Sequence, residues 1–216
     1  MRDYIHQTAL MAAYVFKKNR HHDRFPDVNY TSSADYVLDR GKAFVSEGGL
    51  TDEQFAYLTE IAEDARDDLP GRMYAPKQCF ANAQVLVLAD EPANRITYCE
   101  GYVDTGGMLP VLHGWNLLDG KLVDLTRSLR PEAVDEFLAG EPPQADLRDR
   151  VLGTLPEGWQ YLGVEFAPAD TIQHVRDVEQ YAPMLHEIAL WEAKRLGVYD
   201  APDPDWWERR HDPMSQ

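Results

Sequence analysis

The fold is decided by two stretches near the middle of the chain, residues 79–89 (CFANAQVLVLA) and residues 111–125 (VLHGWNLLDGKLVDL). In the first stretch, residues 80–89 are apolar on nearly every side, which is typical of a helix that is buried all round. In the second stretch, Asp119-Gly120 is the strongest β-hairpin signal in the sequence, because tight hairpin turns need residues that tolerate positive φ. We therefore predict a buried helix followed by an antiparallel hairpin.

Helices precede this central region, and strands and helices follow it, which predicts an α+β fold with an antiparallel sheet. The predicted helices before it are residues 5–17, residues 33–47 ending at Gly48-Gly49, and a helix that opens at a capping box of Thr51 and Gln54 and stops at Pro70. The predicted strands are residues 96–103, 109–117, 121–125 and 160–167, and the later helices are residues 131–138 and 183–196.

At roughly 150 residues per domain, the length predicts one domain with additions or at most two small ones, and we take residues 1–216 as a single domain. We divide it into a helical N-terminal flank (1–70), a core (71–127) and a part that completes the fold (128–216). The last part ends in a tail with Trp206-Trp207, and two adjacent tryptophans are costly to expose to water. We expect this tail to dock on the body of the protein or on a partner.

The composition excludes several classes of protein. The chain has 21 Lys and Arg against 37 Asp and Glu, which gives a net charge of −16. Because nucleic acids and anionic membranes are bound mainly through Lys and Arg, we expect neither as a partner. The hydrophobic fraction of 44% is sufficient for a globular core. Two cysteines are too few for a disulfide scaffold or a four-cysteine zinc site.

The sequence contains no evident membrane span or export signal. The longest apolar run near the centre, Val85–Ala89, is far shorter than the roughly 20 residues that a membrane span needs. At the N-terminus, Asp3 comes early and His6 and Gln7 interrupt any apolar segment. We expect a soluble, cytoplasmic protein.

Cys79 stands where the buried helix is predicted to begin. A helix N-terminus carries about half a positive charge and free backbone N–H groups, which together stabilise a thiolate. The same N–H groups can bind the negative oxygen that forms when a thiol attacks a carbonyl. A lone cysteine is usually a small buried hydrophobe, but this position is the one that a nucleophile requires.

The hairpin fixes which side chains share a face of the sheet. With Asp119 and Gly120 as the loop, Leu118 pairs with Lys121, so odd positions on the first arm share a face with even positions on the second. The face without His113 and Asp124 suits a core. Its residues are Leu112, Leu118, Val123 and Leu125.

This register brings His113 and Asp124 together on one face, along with Trp115. Asp124 is expected opposite Trp115, and His113 opposite Thr126. His113 and Asp124 are then diagonal neighbours, about 7–8 Å apart between their Cα atoms. A hydrogen bond between the two side chains can close this gap.

Cys79, His113 and Asp124 form the arrangement that thiol acyl transfer needs. A thiol nucleophile requires a base, and the base requires a third group that fixes its tautomer and stabilises its positive form. Taken one at a time, a histidine is usually a satisfied polar residue and an aspartate near a turn is usually solvated. Their order along the chain, with a helix after Cys79 and a hairpin between the other two, is much more specific.

Four blocks of the chain carry these residues: Gln78-Cys79-Phe80-Ala81-Asn82-Ala83, Tyr98-Cys99-Glu100-Gly101-Tyr102, His113-Gly114-Trp115-Asn116 and Gly120-Lys121-Leu122-Val123-Asp124-Leu125-Thr126. Together, over about residues 72–127, they resemble the core of transglutaminase-like proteins of the papain-like superfamily. Arylamine N-acetyltransferases share the same order of Cys, His and Asp. The resemblance implies a central helix packed on an antiparallel sheet. It also implies that Cys79 is the nucleophile, that His113 is the base and later the acid, and that Asp124 orients the imidazole.

Four further residues are candidates for the substrate or oxyanion site. Gln78 adjoins Cys79 and is a candidate oxyanion donor. Trp115 shares the predicted face of the triad and either walls the site or belongs to the core. Tyr98 and Glu100 share one face of their strand and either line the cleft or have a structural role. Cys99, in the middle of that strand, is expected to be inert.

We predict no metal site and no cofactor. His21-His22-Asp23 lies on a polar loop, where adjacent histidines rarely converge on one ion. Cys79, His113 and Asp124 are all possible zinc ligands, but no second Cys or His stands beside them at a short ligand spacing.

The leading hypothesis is a thiol enzyme that acts on an amide, ester or thioester of a protein, peptide or small acyl substrate. The acyl group would pass to water, as in a protease, amidase or deamidase, or to an amine, as in a transglutaminase. The alternative is a non-catalytic binding module with the same fold and an acidic surface.

Overall fold

The computed structural model describes residues 1–18, 32–68, 78–106, 109–128 and 151–185. Over these ranges the fold is α+β, as predicted. The helices are α1 (Arg2–Lys18), α2 (Ser33–Arg40), α3 (Asp52–Asp64, continued by a 3-10 turn at Ala65–Asp68), α4 (Cys79–Ala89), α5 (Leu125–Ser128) and α6 (Pro168–Val178). The strands are β1 (Lys42–Phe44), β2 (Ile96–Asp104), β3 (Val111–Leu118), β4 (Lys121–Val123) and β5 (Gln160–Phe166).

The five strands form one sheet in the order β1-β5-β2-β3-β4. Every strand pair is antiparallel, and the longest ladder joins β2 to β3 from Ile96↔Leu118 to Val103↔Val111. β2 therefore lies at the centre of the sheet, and β3 is the strand that carries His113 between β2 and β4.

Helix α4 is the centre of the helical layer. Most of its side chains are apolar, and most of them are buried between the sheet and the helices α3 and α6. Its two buried amides are hydrogen-bonded: Asn82 Nδ2 donates to Thr126 Oγ1 at 2.9 Å, and Gln84 Nε2 donates to the Ala182 carbonyl at 2.6 Å. The prediction of a buried central helix is confirmed, and α4 begins at Cys79.

The sheet is buried on both faces. The face toward α4 carries the larger core, which includes the hairpin residues Leu118, Val123 and Leu125, as predicted. The opposite face carries a second, smaller core of Phe44, Cys99, Val103, Trp115, Leu117, Leu122, Val151 and Tyr161. A sheet covered on both sides holds its side chains between two packed layers, which restricts their rotamers.

The predicted helix over residues 33–47 is wrong in its second half. Helix α2 opens at a capping box of Ser32 and Asp35 but ends at Arg40. The next residues, Lys42–Phe44, pair with β5 as the edge strand β1. Helical propensity was outweighed here by the ladder with β5 and by burial of Phe44 in the second core, and neither is visible in the local sequence.

The hairpin has the predicted register but a shorter second arm. Leu118 pairs with Lys121 as expected, but β4 ends at Val123. Asp124 donates its backbone N–H to the Val151 carbonyl at 2.9 Å, and α5 follows at once. The expected pairs Trp115–Asp124 and His113–Thr126 are therefore wrong, because the segment around Val151 takes over the hydrogen bonds of this arm.

Several predictions are settled by local structure. The capping box of Thr51 and Gln54 is present at the start of α3.

Helix α6 is not among the predicted elements, although Pro168 stands at its start and its buried residues Thr171, Ile172 and Val175 follow a helical spacing. The predicted helix over 131–138, nearly all of the helix over 183–196, the loop at His21-His22-Asp23 and the tail at Trp206-Trp207 lie outside the described residues.

None of the described helices combines the length and the apolar character needed to cross a bilayer.

Candidate active site

Cys79 is the first residue of α4 and is 7% exposed. Gln78 is the N-cap residue, and its side chain makes no capping hydrogen bond. The first backbone bond of the helix runs from the Asn82 N–H to the Gln78 carbonyl at 2.8 Å. The N–H groups of Cys79, Phe80 and Ala81 precede this bond and belong to the first turn of the helix. N–H groups in the first turn of a helix are a common binding site for an anion.

Gly114 allows α4 to approach β3 closely. A Cβ atom at this position would lie 3.2 Å from the Cys79 carbonyl oxygen and 3.1 Å from Cδ1 of Phe80. The backbone at the start of α4 therefore rests against the strand residue that follows His113. This contact sets the distance between the helix that carries the thiol and the strand that carries the imidazole.

His113 and Asp124 are in direct contact, as predicted. His113 Nε2 lies 2.6 Å from Asp124 Oδ2, and the two side chains are 4% and 1% exposed. β4 pairs with β3 only over Asn116–Leu118, so His113 stands on a part of β3 that is not paired with β4. The residue that follows β4, Asp124, meets the imidazole there.

Cys79 lies close enough to His113 to raise the pKa of the imidazole. Burial alone lowers the pKa of His113, but the charge of Asp124, the hydrogen bond to it and the contact with Cys79 outweigh burial and raise the pKa to about 9. Because Nε2 faces Asp124, the other ring nitrogen, Nδ1, is the one that can exchange a proton with the sulfur. The structure thus places His113 in contact with Asp124 and near Cys79.

Asp124 also has donors that the sequence analysis missed. Its Oδ2 accepts a hydrogen bond from the Tyr161 hydroxyl at 2.8 Å, and its Oδ1 accepts from the backbone N–H of Arg127 at 3.1 Å. The second contact is an N-cap of α5 and is detectable in sequence, since Asp is a favoured N-cap residue. The contact with Tyr161 has no sequence signal, because β5 lies 37 residues away.

Tyr98 and Glu100 form a buried pair on the face of β2 toward α4. The Tyr98 hydroxyl donates to Glu100 Oε2 at 2.8 Å. Burial raises the pKa of Tyr98, and the charges of Glu100 and, to a smaller extent, Cys79 raise it further. Tyr98 therefore lies near the thiol but is completely buried.

Glu100 binds the backbone of the segment that follows α6. Its Oε2 accepts from the Met184 N–H at 2.7 Å and its Oε1 from the Leu185 N–H at 3.2 Å. Burial raises the pKa of Glu100 to about 7, although these donors and Tyr98 act in the opposite direction. Its described contacts tie this segment to the sheet.

Trp115 lies in the second core. It is 1% exposed and packs edge-on against Phe44 and Tyr161, with ring centroids 5.1 Å apart in each pair. Its ring lies over Gly163, where a Cβ atom would come within 2.5 Å of the indole. These contacts are those of a core residue.

The second thiol, Cys99, lies inside the second core, whereas Cys79 lies at the start of a helix. Cys99 is completely buried beside Trp115 in the second core, and burial raises the pKa of its thiol well above the ordinary value. In the described ranges, no three His, Cys, Asp or Glu side chains converge closely enough to hold a metal ion.

Comparison of the chain with models of known protein families, with curated proteins and with solved structures gave no significant match. The resemblance to transglutaminase-like proteins therefore stays a prediction, and the chemistry of the site is argued from its own geometry.

Proposed function

We propose that this protein is a thiol-dependent acyl-transfer enzyme with Cys79 as nucleophile, His113 as base and acid, and Asp124 as the group that orients the imidazole. One observation carries the proposal. A buried imidazole has a carboxylate 2.6 Å from Nε2 and, near it, a thiol at the first residue of a buried helix. A transglutaminase-like core is the fold that this arrangement would belong to.

The proton balance of the reaction follows from these contacts. In the resting site the proton of the Cys79 thiol is already on Nδ1 of His113, as a thiolate–imidazolium pair, and the thiolate attacks the carbonyl carbon of an amide, ester or thioester. The carbonyl oxygen becomes negative and is bound by the N–H groups at the start of α4. As the C–N, C–O or C–S bond breaks, His113 returns the proton to the leaving group and an acyl-enzyme remains.

The second half of the reaction releases the acyl group. His113 removes a proton from water or from an amine, which attacks the acyl-enzyme, and the Cys79 sulfur leaves as the thiolate of the resting pair. Asp124 stays ionised throughout and stabilises the positive imidazolium. Hydrolysis and transfer to an amine use the same residues, so the substrate class is a protein, peptide or small acyl compound.

The electrostatics of His113 support this role. With a pKa of about 9, the imidazole is protonated at neutral pH while it faces the Cys79 sulfur. A cation at this point, together with the positive end of α4, favours the thiolate form of the nucleophile.

The first test is alkylation of the two thiols by iodoacetamide across a range of pH. Cys79 should react rapidly at neutral pH, and His113→Ala should abolish this rapid phase. Cys99 is the control within the same chain, because its buried thiol should stay unmodified in the folded protein. Labelling of Cys79 that is as slow in the wild type as in His113→Ala would favour the binding module instead.

The second test is detection of the acyl-enzyme by intact mass. The folded protein is incubated with p-nitrophenyl acetate, and a mass increase of one acetyl group on Cys79 is expected, located by digestion. Cys79→Ala should show none. Release of nitrophenol without any covalent intermediate on Cys79 would argue against the proposed mechanism.

A further inference from the structure

The carboxylate of Asp124 is held by three donors of different kinds. Oδ2 accepts from both the His113 imidazole and the Tyr161 hydroxyl, at 2.6 and 2.8 Å, and Oδ1 accepts from the Arg127 N–H at 3.1 Å. Two donors on one oxygen and one on the other fix the plane of the carboxylate. The Arg127 N–H binds Oδ1, and the Tyr161 hydroxyl binds Oδ2.

Tyr161 is itself rigidly placed. It is 1% exposed, and its backbone pairs with Phe44 of β1 and Val103 of β2. Its ring packs edge-on against Trp115 at 5.1 Å between centroids. Because this packing restricts the rotation of the ring, the Tyr161 hydroxyl keeps a defined position beside Asp124.

We propose that Tyr161 is a positioning residue of the site, whose hydroxyl holds the Asp124 carboxylate in the orientation in which Oδ2 accepts the hydrogen bond from His113 Nε2. The inference deepens the proposed function and rests on it for its catalytic consequence. Without the hydroxyl, the carboxylate has one donor fewer and is free to turn about its Cβ–Cγ bond. The imidazole then loses its fixed orientation toward Cys79.

The test compares Tyr161→Phe with Tyr102→Phe. The first variant keeps the ring that packs against Trp115 and removes only the hydroxyl. The control removes a hydroxyl from a largely buried tyrosine in the adjacent strand β2, where the phenol oxygen lies 3.4 Å from Ser33 Oγ. Near-UV circular dichroism establishes that both variants keep the native packing of their aromatic rings.

The first readout is the titration of the His113 imidazole by NMR. A carboxylate that turns away from Nε2 loses part of the charge contact and hydrogen bond that raise the pKa of His113. We therefore expect a downward shift of the pKa of His113 in Tyr161→Phe and no shift in Tyr102→Phe. An unchanged titration in a folded Tyr161→Phe variant would overturn the inference.

The second readout is turnover of p-nitrophenyl acetate. Loss of a hydrogen bond to a charged group should lower kcat by about tenfold with KM unchanged, because Tyr161 is 1% exposed and has almost no surface for a substrate to contact. Equal kcat in Tyr161→Phe and the wild type contradicts the positioning role. A wild type without turnover, but with the shifted titration in Tyr161→Phe, would keep the structural role of Tyr161 and refute the proposed function.

A measurement on the wild type covers the case in which Tyr161→Phe does not fold. In protein that carries isotope-labelled tyrosine, the Tyr161 hydroxyl proton should exchange slowly with water and show cross-peaks to the His113 ring. A rapidly exchanging hydroxyl would contradict the inference without the use of any variant.

Discussion

At the scale of single residues, Asp124 combines two functions that are usually separate. It caps the short helix α5 through Oδ1 and accepts from His113 through Oδ2. The cap is a local contact that positions the carboxylate, and the contact with His113 uses its charge. Because an amide caps a helix almost as well as a carboxylate but carries no charge, one substitution separates the two functions.

Asp124→Asn is therefore expected to fold and to lose activity. The cap of α5 is kept, while the imidazolium loses its counter-charge, so acyl transfer should fall by about 10³- to 10⁴-fold. The measurement is the initial rate with p-nitrophenyl acetate. Asp119→Asn in the turn of the same hairpin is the matched control, and its rate should equal that of the wild type. A similar loss in both variants would show that the effect is one of hairpin folding.

The pKa of His113 makes stability depend on pH in a definite direction. The value is raised from 6.5 in the unfolded chain to about 9 in the native state, so the native state holds an extra proton between these values. The stabilisation from this proton is complete below pH 6.5 and is lost as the pH rises through 9.

The free energy of unfolding in urea, measured at about pH 6 and about pH 9.5, should therefore fall more in the wild type than in His113→Gln. An equal decrease in the two proteins would mean that His113 does not hold the extra proton.

At the scale of elements, the site is the junction of a helix N-terminus with a strand. Gly114 is the point of contact, because α4 begins directly against its backbone. In the sequence, His113-Gly114-Trp115 is part of the resemblance to transglutaminase-like proteins, and the small middle residue has a steric reason in the structure. Packing at this contact fixes the position of Cys79 relative to His113.

Gly114→Ala should weaken the site more than the fold. The added methyl group would stand 3.1–3.2 Å from atoms of Cys79 and Phe80, so the start of α4 must move by a few tenths of an ångström. We expect the rate of Cys79 alkylation at neutral pH to fall about tenfold or more, since misplaced catalytic groups lose rate steeply.

Gly49→Ala is the control for Gly114→Ala, because a Cβ atom there meets nothing within 4 Å. A Gly114→Ala variant with wild-type alkylation would mean that the helix position does not control the reactivity of the thiol.

At the scale of the whole molecule, one sheet joins two cores. Leu58 of α3 lies in the larger core and Leu122 of β4 in the smaller one, and both are almost completely buried. Because strands β2 to β5 contribute residues to both cores, neither face can lose its packing without disturbing the other. The site lies at the part of β3 that carries His113, where β4 no longer pairs with this strand.

Leu58→Ala and Leu122→Ala should each lower the free energy of unfolding by about 2–5 kcal/mol, in a single transition. Urea unfolding followed by tryptophan fluorescence and by far-UV circular dichroism should give coincident curves in both variants. Leu10→Ala is the control, since Leu10 is 54% exposed and the change should stay below about 0.5 kcal/mol. Two separated transitions would show that the cores unfold independently.

The sequence by itself determined the features that depend on near neighbours. The start of α4 at Cys79, the capping box of Thr51 and Gln54, and the hairpin register at Leu118 and Lys121 all follow from local hydrogen bonds and turn geometry. The contact between His113 and Asp124 belongs only partly to this class, because the turn brings the two arms together but Asp124 lies beyond the end of β4, where its N–H is bound by Val151.

Only the tertiary structure decided the features that depend on distant partners. β1 replaced predicted helix because β5 supplied a ladder to Lys42–Phe44, and β4 ended early because Val151 accepted the N–H of Asp124. Tyr161 reached Asp124 from another strand of the sheet. Such contacts exist only after the chain has folded, and the residues that make them carry no local pattern that a sequence could display.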